Sequence, residues 1–153
     1  MTVDATLCYI VKNGKILLIY KKRGFGAGKW NGAGGKIENS ETEKQAAIRE
    51  TVEETGLRPV NAEKFGYLKF FFGQTGDPDM TVHVFKSEDF SGTLRETEEA
   101  KPKWFDLSEI PFKEMWPDDE IWFPLMMEDK KFSGDFYFDK DGKKLINHNL
   151  EIE

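Results

Sequence analysis

Residues 35–57 have the sequence GKIENSETEKQAAIRETVEETGL, which predicts a loop, a helix and a second loop. Ser40 or Thr42 can cap the helix, because a side-chain oxygen at this position accepts a hydrogen bond from the first turn. The helix is expected to run to Thr55. Gly56 is placed to end it, since glycine readily adopts the left-handed backbone conformation of a helix C-terminus. The segment therefore predicts one well-bounded helix with an acidic composition.

The glutamates near the end of this helix share one face. Glu50, Glu53 and Glu54 occupy positions i, i+3 and i+4, so their Cβ atoms are expected about 5–6 Å apart. Three negative charges so close destabilise a helix unless a positive charge lies among them. Carboxylates at this separation suit Mg²⁺, with Mn²⁺ as an alternative ion. The competing interpretation is a solvated acidic face, which is common in acidic proteins.

The composition limits the classes of partner. The sequence has 153 residues and a formal net charge of −6, with a pI of about 5.1. An acidic surface repels polyanions, so a nucleic acid polymer is not expected as a partner. A single nucleotide is compatible with this charge, because a bound divalent cation reverses the local sign. The length predicts one domain, residues 1–153, which we expect to act as a monomer.

The cysteine content and the hydropathy indicate the compartment. Cys8 is the one cysteine, and because it lies in an apolar run we expect a buried small hydrophobe and not a nucleophile. A disulfide within the chain is impossible, which favours a reducing compartment. The first residues lack the basic start and the long apolar region of a signal peptide. No apolar stretch approaches the ~20 residues needed to span a bilayer. We expect a cytoplasmic protein with no membrane partner.

The remainder of the chain is dominated by predicted strands. Asn13-Gly14 is typical of a tight hairpin, and residues 24–35 contain six of the 14 glycines, which predicts a loop. A second helix is expected at 118–128, opened by Pro117. The predicted class is α+β, with a mixed β-sheet sandwiched between α-helices. The predicted strands are 6–12, 15–20, 64–72, 80–86, 103–107, 136–138 and 145–152.

The spacing within residues 35–57 resembles the Nudix box. In that pattern a glycine is followed by five residues, a glutamate, seven residues and then Arg-Glu-apolar-x-Glu-Glu-x-Gly-apolar. This sequence fills every glycine and charged position of the pattern. Thr51 departs from it, because the family usually has Ile, Leu or Val there, and this puts the packing of the helix in question. The resemblance implies a hydrolase in which water attacks a phosphorus of a substituted nucleoside diphosphate with the help of metal ions.

The resemblance also assigns roles to individual residues. Arg49 would tether a glutamate and so preorganise the site, while Glu41 would support the loop. Glu99, in the acidic run 96–99, lies where related enzymes place a further acidic residue near the metal. The implied metal-binding set is Gly35, Glu50, Glu53, Glu54 and Glu99, and the implied catalytic set is Arg49, Glu53, Glu54 and Glu99.

Two further segments narrow the substrate. Residues 21–32 and 111–119 resemble those of the animal-type Nudix enzymes that hydrolyse oxidised purine nucleoside triphosphates to the monophosphate and pyrophosphate. This resemblance covers almost the whole chain, with one insertion near residues 73–78. It implies a base slot with an aromatic wall and a polar side. The implied substrate-binding set is Thr6, Lys21, Phe25, Asn31, Phe70, Phe72, Met80, Trp116, Asp118 and Asp119.

The adjacent pair Asp118-Asp119 also has a physical logic of its own. Two carboxylates that face one apolar slot cannot both ionise cheaply, so the pKa of one of them rises. The neutral carboxyl can then donate to a base carbonyl, and the ionised one can accept from ring N–H and amino groups. The 8-oxoguanine and 2-oxoadenine bases present such groups. The competing interpretation is an ordinary helix start, where acidic residues favour the helix dipole.

Two alternatives to oxidised purine hydrolysis stay open. A Nudix enzyme of this kind could act on another nucleoside triphosphate or on a dinucleotide-type diphosphate. A Nudix fold could also bind nucleotides without catalysis, but such a module is expected to lack one of the glutamates, and Glu50, Glu53 and Glu54 are all present.

Overall fold

The computed structural model describes residues 1–153 as a mixed β-sheet with two α-helices packed against it. The strands are β1 (Val3–Lys12), β2 (Lys15–Lys21), β3 (Trp30–Asn31), β4 (Ala33–Lys36), β5 (Leu57–Val60), β6 (Glu63–Phe72), β7 (Met80–Ser87), β8 (Asp89–Gly92), β9 (Ala100–Asp106), β10 (Phe132–Phe138) and β11 (Leu145–Ile152). The helices are α1 (Glu43–Thr55) and α2 (Asp119–Met127), with short 3-10 turns at Leu107–Glu109 and Phe112–Glu114. Neither helix combines the length and the apolar character needed to cross a bilayer.

Strand β1 lies in the middle of the sheet. One of its edges pairs with β7 in parallel, and the other pairs first with β4 and then with β2, both antiparallel. The strand order is β11-β10-β6-β7-β1-β2-β3, with β9 on the other edge of β2. Strands β10 and β6 are parallel, while β6 and β7 are antiparallel. Strands β5 and β8 form a separate antiparallel pair.

The two helices cover opposite faces of this sheet. Successive side chains of a strand point to opposite faces, and Cys8 of β1 packs in a cluster with Ala47 of α1. The next residue, Tyr9, packs in the main core with Trp122 and Phe123 of α2. The predicted α+β class, with the sheet between helices, is therefore confirmed.

Helix α1 begins and ends where the sequence predicts. Thr42 is the N-cap and forms a capping box with Gln45. Gly56 follows the last turn at φ 80°, and its N–H donates to the carbonyl of Val52. Thr51 is buried, and its hydroxyl donates to the carbonyl of Ala47 at 2.7 Å. A threonine can replace the usual apolar residue because the helix backbone satisfies its hydroxyl.

The glycine-rich segment departs from the prediction of a continuous loop. Trp30–Asn31 pairs with β2 and Ala33–Lys36 pairs with β1. At Gly34 an added Cβ would lie 1.8 Å from the carbonyl oxygen of Thr6. The glycine therefore serves the close approach of two strands, which a count of glycines cannot distinguish from a loop. The sequence also missed β5, β8 and the first half of β10.

Candidate active site

Arg49 connects the carboxylates in the C-terminal half of α1. Its Nη1 lies 2.7 Å from Glu50 Oε1 and 3.4 Å from Glu53 Oε2. Its Nε and Nη2 donate to the carboxylate of Glu41 at 2.6 and 3.0 Å, and Nη2 also donates to the carbonyl of Lys36 at 3.1 Å. These bonds lower the pKa of Glu41 and raise the pKa of Arg49. One guanidinium thus joins the helix to the loop that precedes it.

Glu50 and Glu54 are the more deeply placed carboxylates of the group. Burial raises the pKa of Glu50, and it raises the pKa of Glu54 to about 8. The N–H of Gly34 donates to Glu54 Oε1 at 2.7 Å. A Cβ at Gly35 would lie 2.4 Å from Glu50 Oε2, so glycine leaves the room that this carboxylate occupies. We use the name glutamate end for the group formed by Gly34, Gly35, Arg49, Glu50, Glu53 and Glu54.

A cavity of about 130 Å³ adjoins the glutamate end. Phe25 and Trp116 stack at its rim, with ring centroids 5.3 Å apart and an interplanar angle of 23°. Phe72 contacts the edge of Phe25, with centroids 6.2 Å apart. The aromatic slot denotes this cavity, which is lined by Ala5, Thr6, Leu7, Ile19, Lys21, Phe25, Gly26, Asn31, Gly32, Gly34, Gly35, Glu54, Phe70, Phe72, Met80, Val82, Trp116, Asp118 and Asp119.

Asp118 and Asp119 are buried where α2 meets the aromatic slot, each with 2% of its surface exposed. Burial raises the pKa of Asp118 to about 6, against the indole N–H of Trp122, which donates to Asp118 Oδ2 at 2.8 Å and favours the anion. Burial raises the pKa of Asp119 well above its ordinary value, and the charge of Asp118 raises it further. The pKa of both carboxyls is therefore raised, and that of Asp119 is raised further by the neighbouring charge, so Asp119 is the member of the pair that more strongly favours its protonated form.

Three buried side-chain oxygens have no hydrogen-bond partner in the protein. They are Thr6 Oγ1, Asp118 Oδ1 and Asp119 Oδ2, and all three residues line the aromatic slot. An unpaired buried polar group costs ~1–3 kcal/mol, so such groups are rare away from functional sites. A ligand with complementary donors and acceptors in the slot would satisfy them.

The sequence matches the NUDIX domain family model over residues 1–126. It is 47% identical over 147 residues to an oxidized purine nucleoside triphosphate hydrolase from Danio rerio, covering 95% of this chain and 92% of that protein. The chain belongs to the Nudix family. The protein of the same name from Mus musculus is 44% identical, with 95% of this chain and 92% of that protein covered.

A solved structure of a Nudix-type protein shares this architecture. The MutT mutator protein from Bacillus halodurans superimposes with a TM-score of 0.87 at 26% identity, and 97% of each chain is covered. The superposition extends past residue 126, so β10 and β11 belong to the shared fold as well as the segment that the family model matches.

Nudix hydrolases generally require a divalent metal ion, and the glutamate end fits one chemically. Its ligands are hard carboxylate oxygens, and burial makes the ionised forms of Glu50 and Glu54 costly until positive charge is supplied. No three acidic, histidine or cysteine side chains converge closely enough to form a complete set of metal ligands. Arg49 holds Glu50 and Glu53 instead.

The structure brings the ten residues of the implied substrate-binding set to one place. All ten line the aromatic slot, together with Gly35 and Glu54 of the implied metal set. They come from β1, β2, β3, β6, β7, the loop before β3 and the start of α2. Arg49, Glu50 and Glu53 lie beside the slot without lining it. Their individual roles remain predictions.

Glu99 is placed differently from the rest of the implied metal set. It does not line the aromatic slot, and its carboxylate accepts from Arg23 Nη2 at 2.8 Å on the surface. No hydrogen bond or ion pair joins Glu99 to α1. A role for Glu99 at the metal therefore stays a prediction.

Three residues of the Nudix site were not singled out from the sequence. Trp122 donates to Asp118, the N–H of Gly34 donates to Glu54, and Tyr9 lies behind the slot. The i, i+4 spacing of Asp118 and Trp122 on a predicted helix was a usable signal. Nothing in the local sequence distinguishes Tyr9 from an ordinary core aromatic residue.

Proposed function

We propose that this protein hydrolyses oxidised purine nucleoside triphosphates, such as 8-oxo-dGTP and 2-oxo-dATP, to the monophosphate and pyrophosphate. The observation that carries the proposal is the set of three unpaired buried oxygens, on Thr6, Asp118 and Asp119, in a slot with an aromatic rim. The printed names of the two animal relatives support the same substrate class. Such a reaction removes damaged nucleotides before a polymerase can use them.

The aspartate pair supplies the means to bind a purine edge. Protonated Asp119 donates a hydrogen bond to a base carbonyl, and ionised Asp118 accepts from a ring N–H or an amino group. Phe25 and Trp116 offer ring faces for stacking, which is worth ~1–3 kcal/mol for a base. Transfer of the proton from Asp119 to Asp118 would exchange donor and acceptor, so one pair can serve two oxidised bases.

The glutamate end supplies the means to cleave the phosphate chain. Water loses a proton to solvent and its oxygen bonds to one of the two phosphorus atoms of the α–β linkage. The bond from that phosphorus to the bridging oxygen breaks, and the monophosphate and pyrophosphate separate. A bound divalent cation, Mg²⁺ with Mn²⁺ as an alternative, would neutralise charge on the phosphates and favour ionisation of the attacking water. Glu50, Glu53 and Glu54 would hold the cation, and Arg49 keeps two of these carboxylates in place.

The proposal also covers the domain organisation, the partners, the compartment and the oligomeric state of the enzyme. We propose residues 1–153 as one catalytic domain, since β10 and β11 extend the same sheet as β1. The net charge of −6 argues against a nucleic acid polymer as partner. One buried cysteine is compatible with a reducing cytoplasm. We propose that the protein is active as a monomer.

The experiment is a comparison of kcat/KM for 8-oxo-dGTP, 2-oxo-dATP and dGTP in Mg²⁺, followed by pyrophosphate release. We expect the oxidised substrates to exceed dGTP by at least ~10-fold, since a site built on hydrogen bonds rejects a mismatched partner. Removal of metal with EDTA should stop turnover and Mg²⁺ should restore it. Equal rates on dGTP would refute the oxidised-purine substrate while leaving a Nudix pyrophosphohydrolase in place.

A further inference from the structure

Tyr9 lies behind the aromatic slot without lining it. It is fully buried, and its ring makes edge contacts with Trp122 and Phe123, with centroids 5.9 and 4.9 Å apart. A Cβ at position 32 would lie 2.6 Å from Tyr9 Cζ, so Gly32 provides the space for the ring. Packing therefore fixes the ring and leaves only its hydroxyl free to interact with the site.

The hydroxyl of Tyr9 acts on Asn31, which does line the slot. Tyr9 Oη donates to Asn31 Oδ1 at 3.1 Å, and the backbone N–H of Gly32 donates to the same oxygen at 2.8 Å. A backbone N–H can only donate, so the atom that faces it must be the amide oxygen. Burial raises the pKa of Tyr9, which keeps the phenol protonated and able to donate.

The orientation of the Asn31 amide determines what the slot offers a ligand. With Oδ1 occupied by two donors, Asn31 Nδ2 makes no hydrogen bond within the chain. Its two N–H groups are available to a ligand acceptor. Thr6, Asp118 and Asp119 contribute the unpaired oxygens of the same slot. Asn31 is therefore the one side-chain amide among the lining residues, whose other polar side chains are those of Thr6, Lys21, Glu54, Asp118 and Asp119.

We propose that Tyr9 is a positioning residue that sets base specificity by holding the Asn31 amide with its N–H donors toward the purine. This inference rests on the proposed function, because it assumes that a purine occupies the aromatic slot. The favoured bases are purines that present a carbonyl oxygen to Asn31, and 8-oxoguanine carries one more carbonyl oxygen, O8, than guanine does. Tyr9 touches neither the substrate nor the glutamate end, so its effect should fall on KM and on base choice.

The test is a double-mutant cycle with Tyr9→Phe, Asn31→Ala and the double variant, measured on 8-oxo-dGTP and dGTP. Tyr9→Phe removes one hydrogen bond and keeps the ring contacts, so we expect the ratio of kcat/KM values to fall by ~3–10-fold, mainly through KM. Asn31→Ala should lower the ratio by at least as much. In the Asn31→Ala background, Tyr9→Phe should change the ratio by less than about twofold, because the two side chains act as one unit.

Tyr137→Phe is the matched control, because Tyr137 stacks on Phe71 and its hydroxyl makes no hydrogen bond in the chain. It should leave the ratio unchanged. If Tyr9→Phe lowers kcat equally on both substrates and in both backgrounds, Tyr9 is only a packing residue and the inference is overturned. If Asn31→Ala and Asp119→Asn both leave the ratio at the wild-type value, the proposed function itself fails.

A second variant tests the inference if Tyr9→Phe does not fold. Asn31→Asp keeps an oxygen for the donors from Tyr9 and Gly32 but removes both side-chain N–H groups. The proposal requires this variant to lose selectivity at least as strongly as Asn31→Ala. Retained selectivity would show that the N–H donors of Asn31 do not select the base, which would overturn the role of Tyr9.

Discussion

The glutamate end and the aromatic slot both bury carboxyl groups, but they compensate the charge in different ways. At the glutamate end, one cation, Arg49, contacts Glu41, Glu50 and Glu53. In the slot, Asp118 and Asp119 have no cation within salt-bridge distance, and burial raises the pKa of each carboxyl. At the glutamate end one cation serves several carboxylates, which leaves negative charge that a metal ion can neutralise, while the aromatic slot retains a proton that serves hydrogen bonding.

The two regions should therefore serve different parts of the substrate, the glutamate end the phosphates and the aromatic slot the base. Interactions with a cation and phosphates should govern the chemical step, whereas neutral and ionised hydrogen bonds should govern the choice of base. Glu54 is the carboxylate at which the two regions meet, because it belongs to α1 and also lines the slot. If the division is correct, variants in one region should change kcat and variants in the other should change the ratio between bases.

Glu54→Gln should have the largest effect on turnover. Glutamine keeps an oxygen for the N–H of Gly34, which lies 2.7 Å from Glu54 Oε1, so the fold should persist. The loss of a ligand charge should lower kcat on the order of 100-fold or more. Mutation of a residue that only hydrogen-bonds to a metal ligand typically costs about 10–100-fold, and a ligand itself should cost at least as much. The measurement is kcat at saturating Mg²⁺, with circular dichroism to check the fold.

Glu120→Gln provides the matched control for this variant, because Glu120 is exposed on α2 and forms no ion pair in the chain. It should retain wild-type turnover. The ratio of kcat/KM values for 8-oxo-dGTP and 2-oxo-dATP should also stay constant in Glu54→Gln, within the activity that remains. Retention of more than about a tenth of wild-type kcat would argue against Glu54 as a ligand, because a tenfold change is only ~1.4 kcal/mol.

Asp118→Asn and Asp119→Asn should affect base selection in the aromatic slot and not the chemistry at the glutamate end. Each fixes one side chain as a neutral amide and ends proton exchange within the pair, leaving a mismatched hydrogen bond with at least one base. We expect KM for the oxidised triphosphates to rise by ~10–100-fold, and the 8-oxo-dGTP to 2-oxo-dATP ratio to shift differently in the two variants. The Mg²⁺ dependence of kcat should remain that of the wild type.

The same kinetic measurements test the competing interpretation, in which Asp118 and Asp119 serve only to begin α2. Asp118 and Asp119 do stand at the beginning of α2, where acidic residues favour the helix dipole. That role predicts a lower melting temperature in both variants and an unchanged ratio between the bases. A ratio that stays at the wild-type value in both variants would therefore remove the purine-binding interpretation.

The sequence predicted the glutamate end better than the aromatic slot, because of how the two are built. Helix α1, its capping residue Thr42 and its terminal Gly56 follow from local rules within residues 35–57. The contacts of Arg49 with Glu50 and Glu53 are also short-range. Such features depend on neighbours along the chain, which a sequence shows directly.

The aromatic slot depends on segments that are distant along the chain. Thr6, Asn31, Phe70 and Asp119 meet only after β1, β3, β6 and α2 have packed. Their grouping was expected only from a resemblance to a family, since spacing alone does not place them together. The role of Tyr9 behind Asn31 and the pairing of Trp122 with Asp118 required the packed structure. Alternation in β1 indicates two faces but not which partner each face meets.

The strands that the sequence missed have a related cause. Gly34 lies in β4, where a glycine allows β4 to approach β1 closely, and the same residue type predicted a loop. Strands β5 and β8 are four residues each and pair only with one another. Pairing over such short lengths leaves little periodicity in the sequence, so tertiary context decides the structure.

In the ligand-free protein, burial of Asp118 and Asp119 should make the free energy of unfolding depend on pH. A carboxyl with a raised folded pKa stabilises the native state below its unfolded pKa, and this contribution is lost as the pH rises through the folded pKa. With the pKa of Asp118 at about 6 and that of Asp119 well above its ordinary value, stability should fall from about pH 4 through pH 6 and continue to fall above it. Asp119→Asn removes one titrating group and should flatten this decline.

The measurement is the melting temperature across that pH range without metal or nucleotide. At pH 8 we expect Asp119→Asn to melt a few degrees above the wild type, since 1 kcal/mol corresponds to about 2–4 °C in a chain of this size. Glu54 contributes a decline of the same sign in both proteins, so the difference between them reports on the Asp118-Asp119 pair. Asp77→Asn, at an exposed position, is the control. Parallel curves for Asp119→Asn and wild type would mean that Asp119 is not a buried titrating group.

Cys8→Ser should have the smallest effect, because Cys8 belongs to neither region. It is 2% exposed and packs with Ala47, Ala62 and Phe85 on the α1 face of the sheet. Burial raises the pKa of its thiol to about 12, so the thiolate needed for reactivity is scarce at neutral pH. We expect kcat/KM for 8-oxo-dGTP to stay within about twofold of the wild type, since no ligand or positioning group is lost.

A change in stability should accompany this variant even though turnover does not change. Burying a hydroxyl in place of a thiol costs ~1–3 kcal/mol unless a partner accepts its hydrogen bond, so Cys8→Ser should unfold at a lower denaturant concentration. Alkylation by N-ethylmaleimide should follow the rate of unfolding in the wild type. Loss of turnover on alkylation of the folded enzyme, with an unchanged unfolding midpoint, would show that Cys8 communicates with the site. Because Cys8 and Tyr9 are adjacent in β1 and face opposite sides of the sheet, the Tyr9→Phe and Cys8→Ser pair then separates a specific effect on Asn31 from a general disturbance of this strand.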